Sequence, residues 1–136
     1  MSPIPSLYAS LSVALGGGIG ALLRYQTGRA MTAWLGPATV GAFPFATLAV
    51  NTIGSLLMGV LAGWLARHGS AGGEQARLLI GVGLLGGFTT FSAFSLELVM
   101  LIERGQFMIA LLYLMISVGL GVTGLVLGLN LMRTFA

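Results

Sequence analysis

The chain contains no cysteine and no lysine, a single histidine, and only three acidic residues in 136. Without cysteine there is no disulfide scaffold, no thiolate metal site and no cysteine nucleophile. Charged residues make up 7% of the chain, whereas a soluble domain carries about a quarter. Six Arg and three Glu are too few to clothe a water-exposed surface. The same shortage excludes disorder, because disordered chains are polar and charge-rich. No βαβ alternation is present, which excludes dinucleotide-binding and barrel enzymes. The pI of 10.2 reflects scarce acids; six scattered Arg form no basic patch for nucleic acid. What is abundant is apolar. At 57% hydrophobic residues and a mean hydropathy of +1.01, the chain reads as an integral protein of the lipid bilayer.

Charge-free stretches cover residues 1–23, 30–66, 78–96 and 105–132. A spanning helix needs about 20 apolar residues, so each stretch holds one span. In the longest, Gly36-Pro37 and Pro44 punctuate, and Pro44 suits the first turn of a new helix. This places helix 1 over about 7–34, helix 2 over 44–66, helix 3 over 76–102 and helix 4 over 107–132. The connections at 35–43, 67–75 and 103–106 are too short for a further domain. The fold class is an all-α membrane protein, with 1–136 as a single transmembrane domain. No Lys or Arg precedes the first apolar run, so a cleavable signal is not expected. Four spans put both termini on one side.

Twenty-two glycines are the second feature. Small residues recur four apart at Gly16/Gly20, Ser55/Gly59/Gly63, Gly83/Gly87 and Gly124/Gly128. Such faces let helix backbones approach closely in lipid. Ordinary bundle packing accounts for most of them, yet small faces on all four helices also suggest packing against a second copy. Charge points the same way. Orientation follows Lys and Arg in short loops, and Arg67, Arg77 and Arg133 on one side balance Arg24, Arg29 and Arg104 on the other. With no bias both orientations are populated, and two opposed copies can pair about a twofold axis in the membrane plane. Should Arg24 lie too deep to count, a mild preference remains.

Helix 3 carries the chemical anomaly, Gly86-Gly87-Phe88-Thr89-Thr90-Phe91-Ser92-Ala93-Phe94-Ser95. Thr89, Thr90, Ser92 and Ser95 can bond back to the helix backbone. Gly-Gly followed by Thr-Thr nevertheless favours a broken helix, tolerated at membrane depth only where protein buries it or it lines a cavity. A break at 86–90 predicts either a small cation site built from freed carbonyls or an aqueous cavity. The Phe88/Phe91/Phe94 stripe is either packing at helical spacing or a row of rings whose electropositive edges face an anion. Asn51, mid-span in helix 2, is either interhelical glue or a neutral donor on an anion path. Thr47 lies one turn earlier on the same face, and helix 4 adds Tyr113 and Ser117 four apart. Glu97, the only acid near membrane depth, is a functional candidate toward the interfacial end of helix 3. Arg24, near the end of helix 1, either snorkels or draws anions to a vestibule. His68 sits in a loop with no metal-ligating partners in sequence.

The segment at 86–95, with Asn-Thr-Ile-Gly-Ser at 51–55 and Gly-Ala-Leu-Leu-Arg-Tyr at 20–25, resembles the Fluc (CrcB) family of fluoride channels. The resemblance implies an antiparallel dual-topology homodimer with two pores, exporting fluoride passively across a prokaryotic cell membrane. It implies Phe91 and Phe94 as aromatic pore lining and Asn51 as the helix 2 amide facing fluoride. Thr47, Thr90, Ser92, Tyr113 and Ser117 would line the same path. It further implies that the carbonyls of Gly86 and Thr89, two from each subunit, hold a structural Na+ ion. Arg24 and Glu97 match the family's helix 1 arginine and helix 3 glutamate. Two departures stand out: Ala93 replaces a usual threonine, and the helix 4 polar track meets Gly121 and Leu125 beyond Ser117.

Two other readings compete. A small multidrug-resistance exporter has the same size, but it carries a Glu in the middle of helix 1, and residues 7–23 contain no acid. A non-transporting membrane subunit would use the small residues and Asn51 only as glue, leaving the helix 3 break and its hydroxyls without purpose. No set of base, nucleophile and orienting group supports an enzyme.

Overall fold

The computed structural model describes residues 5–68 and 71–134. Helix α1 spans Ser6–Leu35, α2 Pro37–Ala42 and α3 Phe45–Leu65. Helix α4 runs without interruption through Ala71–Ala76, Arg77–Leu85 and Gly86–Phe88, followed by α5 (Phe91–Glu103) and α6 (Phe107–Thr134). Among the described residues four segments are long and apolar enough to cross a membrane: Ser6–Leu35, Phe45–Leu65, Gly72–Glu103 and Phe107–Thr134. They correspond to helices 1 to 4 of the sequence reading.

Two connections are more ordered than expected. The 35–43 connection contains α2, which starts with Pro37 at its first turn after Gly36 turns the chain at φ 84°. A positive φ is open to glycine at no steric cost, and proline loses nothing at a helix start. The third span begins at Ala71 rather than 76, and over Arg77–Leu85 it widens to π-type bonding, with the Gly86 N–H reaching Gly81 O. Gly69 and Ser70 of the expected 67–75 connection lie outside the described residues, as do residues 1–4, where a signal's basic segment would sit.

The spans pack as two intimate pairs, α1 with α4 and α3 with α6. A Cβ on Gly16 would meet the Leu79 carbonyl, and one on Gly20 the Leu84 carbonyl. In the other pair a Cβ on Gly59 would meet Leu125 O and one on Gly128 would meet Leu56 O. The small-residue faces are therefore consumed inside the protomer.

The interior is thin. Its core is Phe94, Leu101, Ala110 and Tyr113, with Phe43, Leu48 and Leu98 against it. Large apolar side chains such as Leu7, Trp34, Phe107 and Met115 point outward, an arrangement that water disfavours and lipid accepts. Arg67 donates to Arg133 O at 2.9 Å at one end of the bundle, and Arg104 to Gly41 O at 3.2 Å at the other.

Candidate functional site

The third span loses its helical backbone at Thr89 (φ −81°, ψ 158°) and Thr90 (φ −152°, ψ 121°), both extended. The hydrogen bonds explain how this is sustained. In a continuous helix the Thr90 N–H would reach Gly86 O. Instead it donates to Asn51 Oδ1 at 2.8 Å, and Asn51 Nδ2 donates to Thr90 O at 3.0 Å. The Ala93 N–H, which would reach Thr89 O, donates to Thr90 Oγ1 at 3.1 Å and caps α5. The carbonyls of Gly86 and Thr89 thus lose the donors a helix would give them. Thr89 is held at the end of α4 by its N–H and its Oγ1, both donating to Leu85 O, at 3.0 and 2.8 Å. Gly86 lies exposed on the protomer's surface and Thr89 half-buried.

A concavity of about 290 Å³ opens beside this interruption, lined by Asn51, Ser55, Thr89, Thr90, Phe91 and Leu125 among others. Phe91 is 80% exposed at its rim, whereas Phe94 is 7% exposed and packs on Tyr113 with ring centroids 5.1 Å apart. The Phe91 and Phe94 rings lie 5.8 Å apart and inclined at 41°. Ser92 is exposed, its Oγ 3.3 Å from Thr90 Oγ1, and Ser95 bonds back to Phe91 O.

Glu97 is the second centre. Thr47 Oγ1 donates to its Oε1 and Tyr113 OH to its Oε2, each at 2.7 Å, so one carboxylate ties α3, α5 and α6 together. Short charge-assisted bonds of this kind are about twice as strong as neutral ones. The sequence grouped Thr47 with Asn51, but the structure divides them: Asn51 holds the backbone break and Thr47 holds Glu97. Tyr113 is fully buried and meets the Phe43 ring edge-on at 5.4 Å. Glu97 also lines a smaller cavity of about 180 Å³ with Arg104 and Pro44.

Other sequence candidates stand apart. Arg24 lies well inside α1, not near its end, and borders a separate concavity with Tyr25, Arg29 and Thr32. The position follows from α1 continuing to Leu35. Ser117 Oγ is buried with no hydrogen-bond partner, and so is Thr52 Oγ1, which the sequence did not single out. Ser55, facing the concavity, was read only as a small packing residue. His68 stacks on Trp64 at 4.8 Å, and no metal-holding group of three His, Cys, Asp or Glu occurs among the described residues. The arrangement around the break offers neutral donors, hydroxyls and phenyl rings, with no fixed cation among the lining residues named.

Comparison with known proteins follows the same lines. The model of the family described as CrcB-like protein, Camphor Resistance (CrcB), matches residues 11–129. A protein of Erythrobacter litoralis named fluoride-specific ion channel FluC is 60% identical over 136 residues, the whole of both chains. A Novosphingobium aromaticivorans protein of the same name is 61% identical over 128 residues, covering 94% of this chain and 98% of its own. A third, from Phenylobacterium zucineum, is 50% identical over 127 residues, covering 93% and 97%. Matched along nearly its whole length by the family and by these relatives, the chain belongs to the CrcB family.

Proposed function

We propose that the protein is a fluoride-selective ion channel, not an enzyme, that lets fluoride leave the cytoplasm passively across a bacterial inner membrane. The observation that carries this reading is the 60% identity, over the whole of both chains, with a relative named fluoride-specific ion channel. The chemistry of the site agrees with it. Fluoride is small and strongly hydrated, so a path must replace water with donors yet hold no cation that would trap the ion. Asn51 has a second N–H beyond the one given to Thr90 O. Hydroxyls of Thr90, Ser92 and Ser117 and the ring edges of Phe91 and Phe94 extend the same neutral chemistry, and Thr47 and Tyr113, whose O–H groups go to Glu97, border the same path. Arg24, at its own concavity, would raise the local concentration of anions at the mouth.

The assembly in this reading is an antiparallel homodimer of dual topology with two pores. At its centre the carbonyls of Gly86 and Thr89, two from each subunit, hold a sodium ion. Their diverted helical donors support that fit, since freed carbonyl oxygens are hard ligands suited to an alkali cation. The ion would supply positive charge that offsets the crowding of carbonyl dipoles. A non-transporting subunit leaves these carbonyls and the orphaned Ser117 hydroxyl without purpose. The test is fluoride-electrode recording from liposomes holding the purified protein. Large passive fluoride release with negligible chloride release is expected; silence from a well-folded dimer would remove the reading.

A further inference from the structure

Helices α3 and α6 run parallel in a fixed register. Several contacts pair a residue of this span with one 66 positions onward, Arg67 with Arg133, and Gly63 with Leu129, Gly59 with Leu125 and Ser55 with Gly121, while Gly63 also meets Met132, 69 onward, and Leu56 meets Gly128, 72 onward. Toward the other end, Thr47 and Tyr113, again 66 apart, share Glu97, and Asn51 and Ser117 each stand one turn further along their helices. Along α6, hydroxyls recur every fourth residue at 113 and 117 and then stop, because the next positions are Gly121 and Leu125.

At that level a hydroxyl is present, but on the other helix. Ser55 Oγ lies 3.6 Å from where a Cβ of Gly121 would stand, and Ser55 lines the concavity that holds Asn51, Thr90 and Phe91. Serines in helices commonly bond back to their own backbone, as Ser10, Ser12 and Ser95 do. Among the side-chain bonds of the described residues no such bond involves Ser55, which lines the cavity instead. Two neighbours tell the same story: Thr52 Oγ1 and Ser117 Oγ are buried and unpartnered, a condition that calls for a bound water or ion.

Resting on the channel reading, we propose that Ser55 is a pore-lining donor that continues the row of hydroxyls from Ser117, in the place Gly121 leaves empty. Glycine at 121 keeps the Ser55 hydroxyl uncovered. The passing fluoride, or the water travelling with it, accepts the Ser55 O–H.

The test uses full-length protein in liposomes with a fluoride electrode, comparing wild type, Ser55→Ala, and Ser55→Ala combined with Gly121→Ser. A Cβ at 121 meets only ordinary contact, its nearest neighbour being Ser55 Oγ at 3.6 Å, which the Ser55→Ala change removes. Loss of one hydrogen bond to an anion lowers flux about tenfold, and the transplanted hydroxyl brings back most of it. Unchanged flux in Ser55→Ala overturns the proposal, and so does a loss that Gly121→Ser does not repair. Should Ser55→Ala fail to assemble, Gly121→Val, which covers the hydroxyl without removing it, must lower flux; normal flux there overturns the proposal equally. A wild type that passes no fluoride defeats the channel reading itself and takes this inference with it. Wild-type flux with an indifferent Ser55 defeats only the inference.

Discussion

The side-chain amide of Asn51 grips the backbone of Thr90 at both its N–H and its carbonyl, at 2.8 and 3.0 Å. An unsatisfied peptide group at membrane depth costs several kcal/mol, and this side chain satisfies the Thr90 N–H while adding a second donor to a carbonyl that, at the N-cap, already accepts the first bond of α5. Gluing helices and offering a donor are therefore not rival roles for Asn51. One N–H and the oxygen hold the break, and the other N–H takes no part in that pairing.

Replacing that amide tests both roles. In Asn51→Asp an ionised carboxylate turns an oxygen toward Thr90 O and opposes fluoride on the path. A like charge at about 4 Å costs on the order of 4 kcal/mol at an effective dielectric near 20. About 1.4 kcal/mol is tenfold in rate, so fluoride flux at pH 8 falls by orders of magnitude. Protonation gives the new carboxyl one acceptor and one O–H, restoring the pairing with Thr90. Flux therefore recovers in part toward the acid end. Full flux at pH 8 from a stable dimer would take Asn51 off the pathway.

Glu97 offers a stability test. Tyr113→Phe keeps the ring against Phe94 and Phe43 but strips one hydroxyl from the carboxylate. Thr47→Val strips the other while keeping the shape. Each single change costs about 1.5–3 kcal/mol, as for a hydrogen bond to a charged group. The double variant loses more than the sum, since the carboxylate then has neither partner. Denaturation in detergent micelles measures this, and additive losses would show that Glu97 is hydrated from the smaller cavity instead.

The spans were legible because arginines and glutamates are rare enough to bracket each apolar run. Gly86-Gly87 ahead of Thr89-Thr90 also announced where helical backbone would lapse. What one chain could not announce was pairing across helices. Thr47, Glu97 and Tyr113 come from three elements, and only the α3–α6 register brings the first and last level. Glycine spacing likewise marks a close approach without saying which helix arrives. The sequence reading sets Arg24 near the end of helix 1, although the 7–34 range expected for that helix already leaves ten residues beyond it, and α1 ends at Leu35.

The glycines make a graded series. Gly20→Ala would drive a methyl into the Leu84 carbonyl and Gly128→Ala into that of Leu56, whereas Gly18 and Gly119 have nothing within 4 Å. Overpacking costs about 1–3 kcal/mol even where side chains can yield, and here backbone must move. Gly20→Ala and Gly128→Ala are expected to abolish recovery of folded protein, while Gly18→Ala and Gly119→Ala fold normally. Size-exclusion profiles separate the cases. Normal folding with weakened dimers in either of the last two would locate that position at the contact between copies.

Topology provides the remaining test. The Arg67–Arg133 bond fixes one end of the bundle and the Arg104–Gly41 bond the other. Arg67, Arg77 and Arg133 belong to the first end and Arg29 and Arg104 to the second, while Arg24 lies deeper inside α1. A balance this close gives the insertion machinery only a weak instruction. Two lysines added after Ala136 break it and turn that end toward the cytoplasm in nearly every copy. Antiparallel partners then become scarce. Cells relying on this protein should lose fluoride resistance although the chain is made and inserted, and co-expressing a version with lysines added in the α5–α6 connection should restore it. Resistance that persists in a population proven by cysteine labelling to have one orientation would contradict the antiparallel dimer. Loss without rescue would point to damage at the C-terminus rather than to topology.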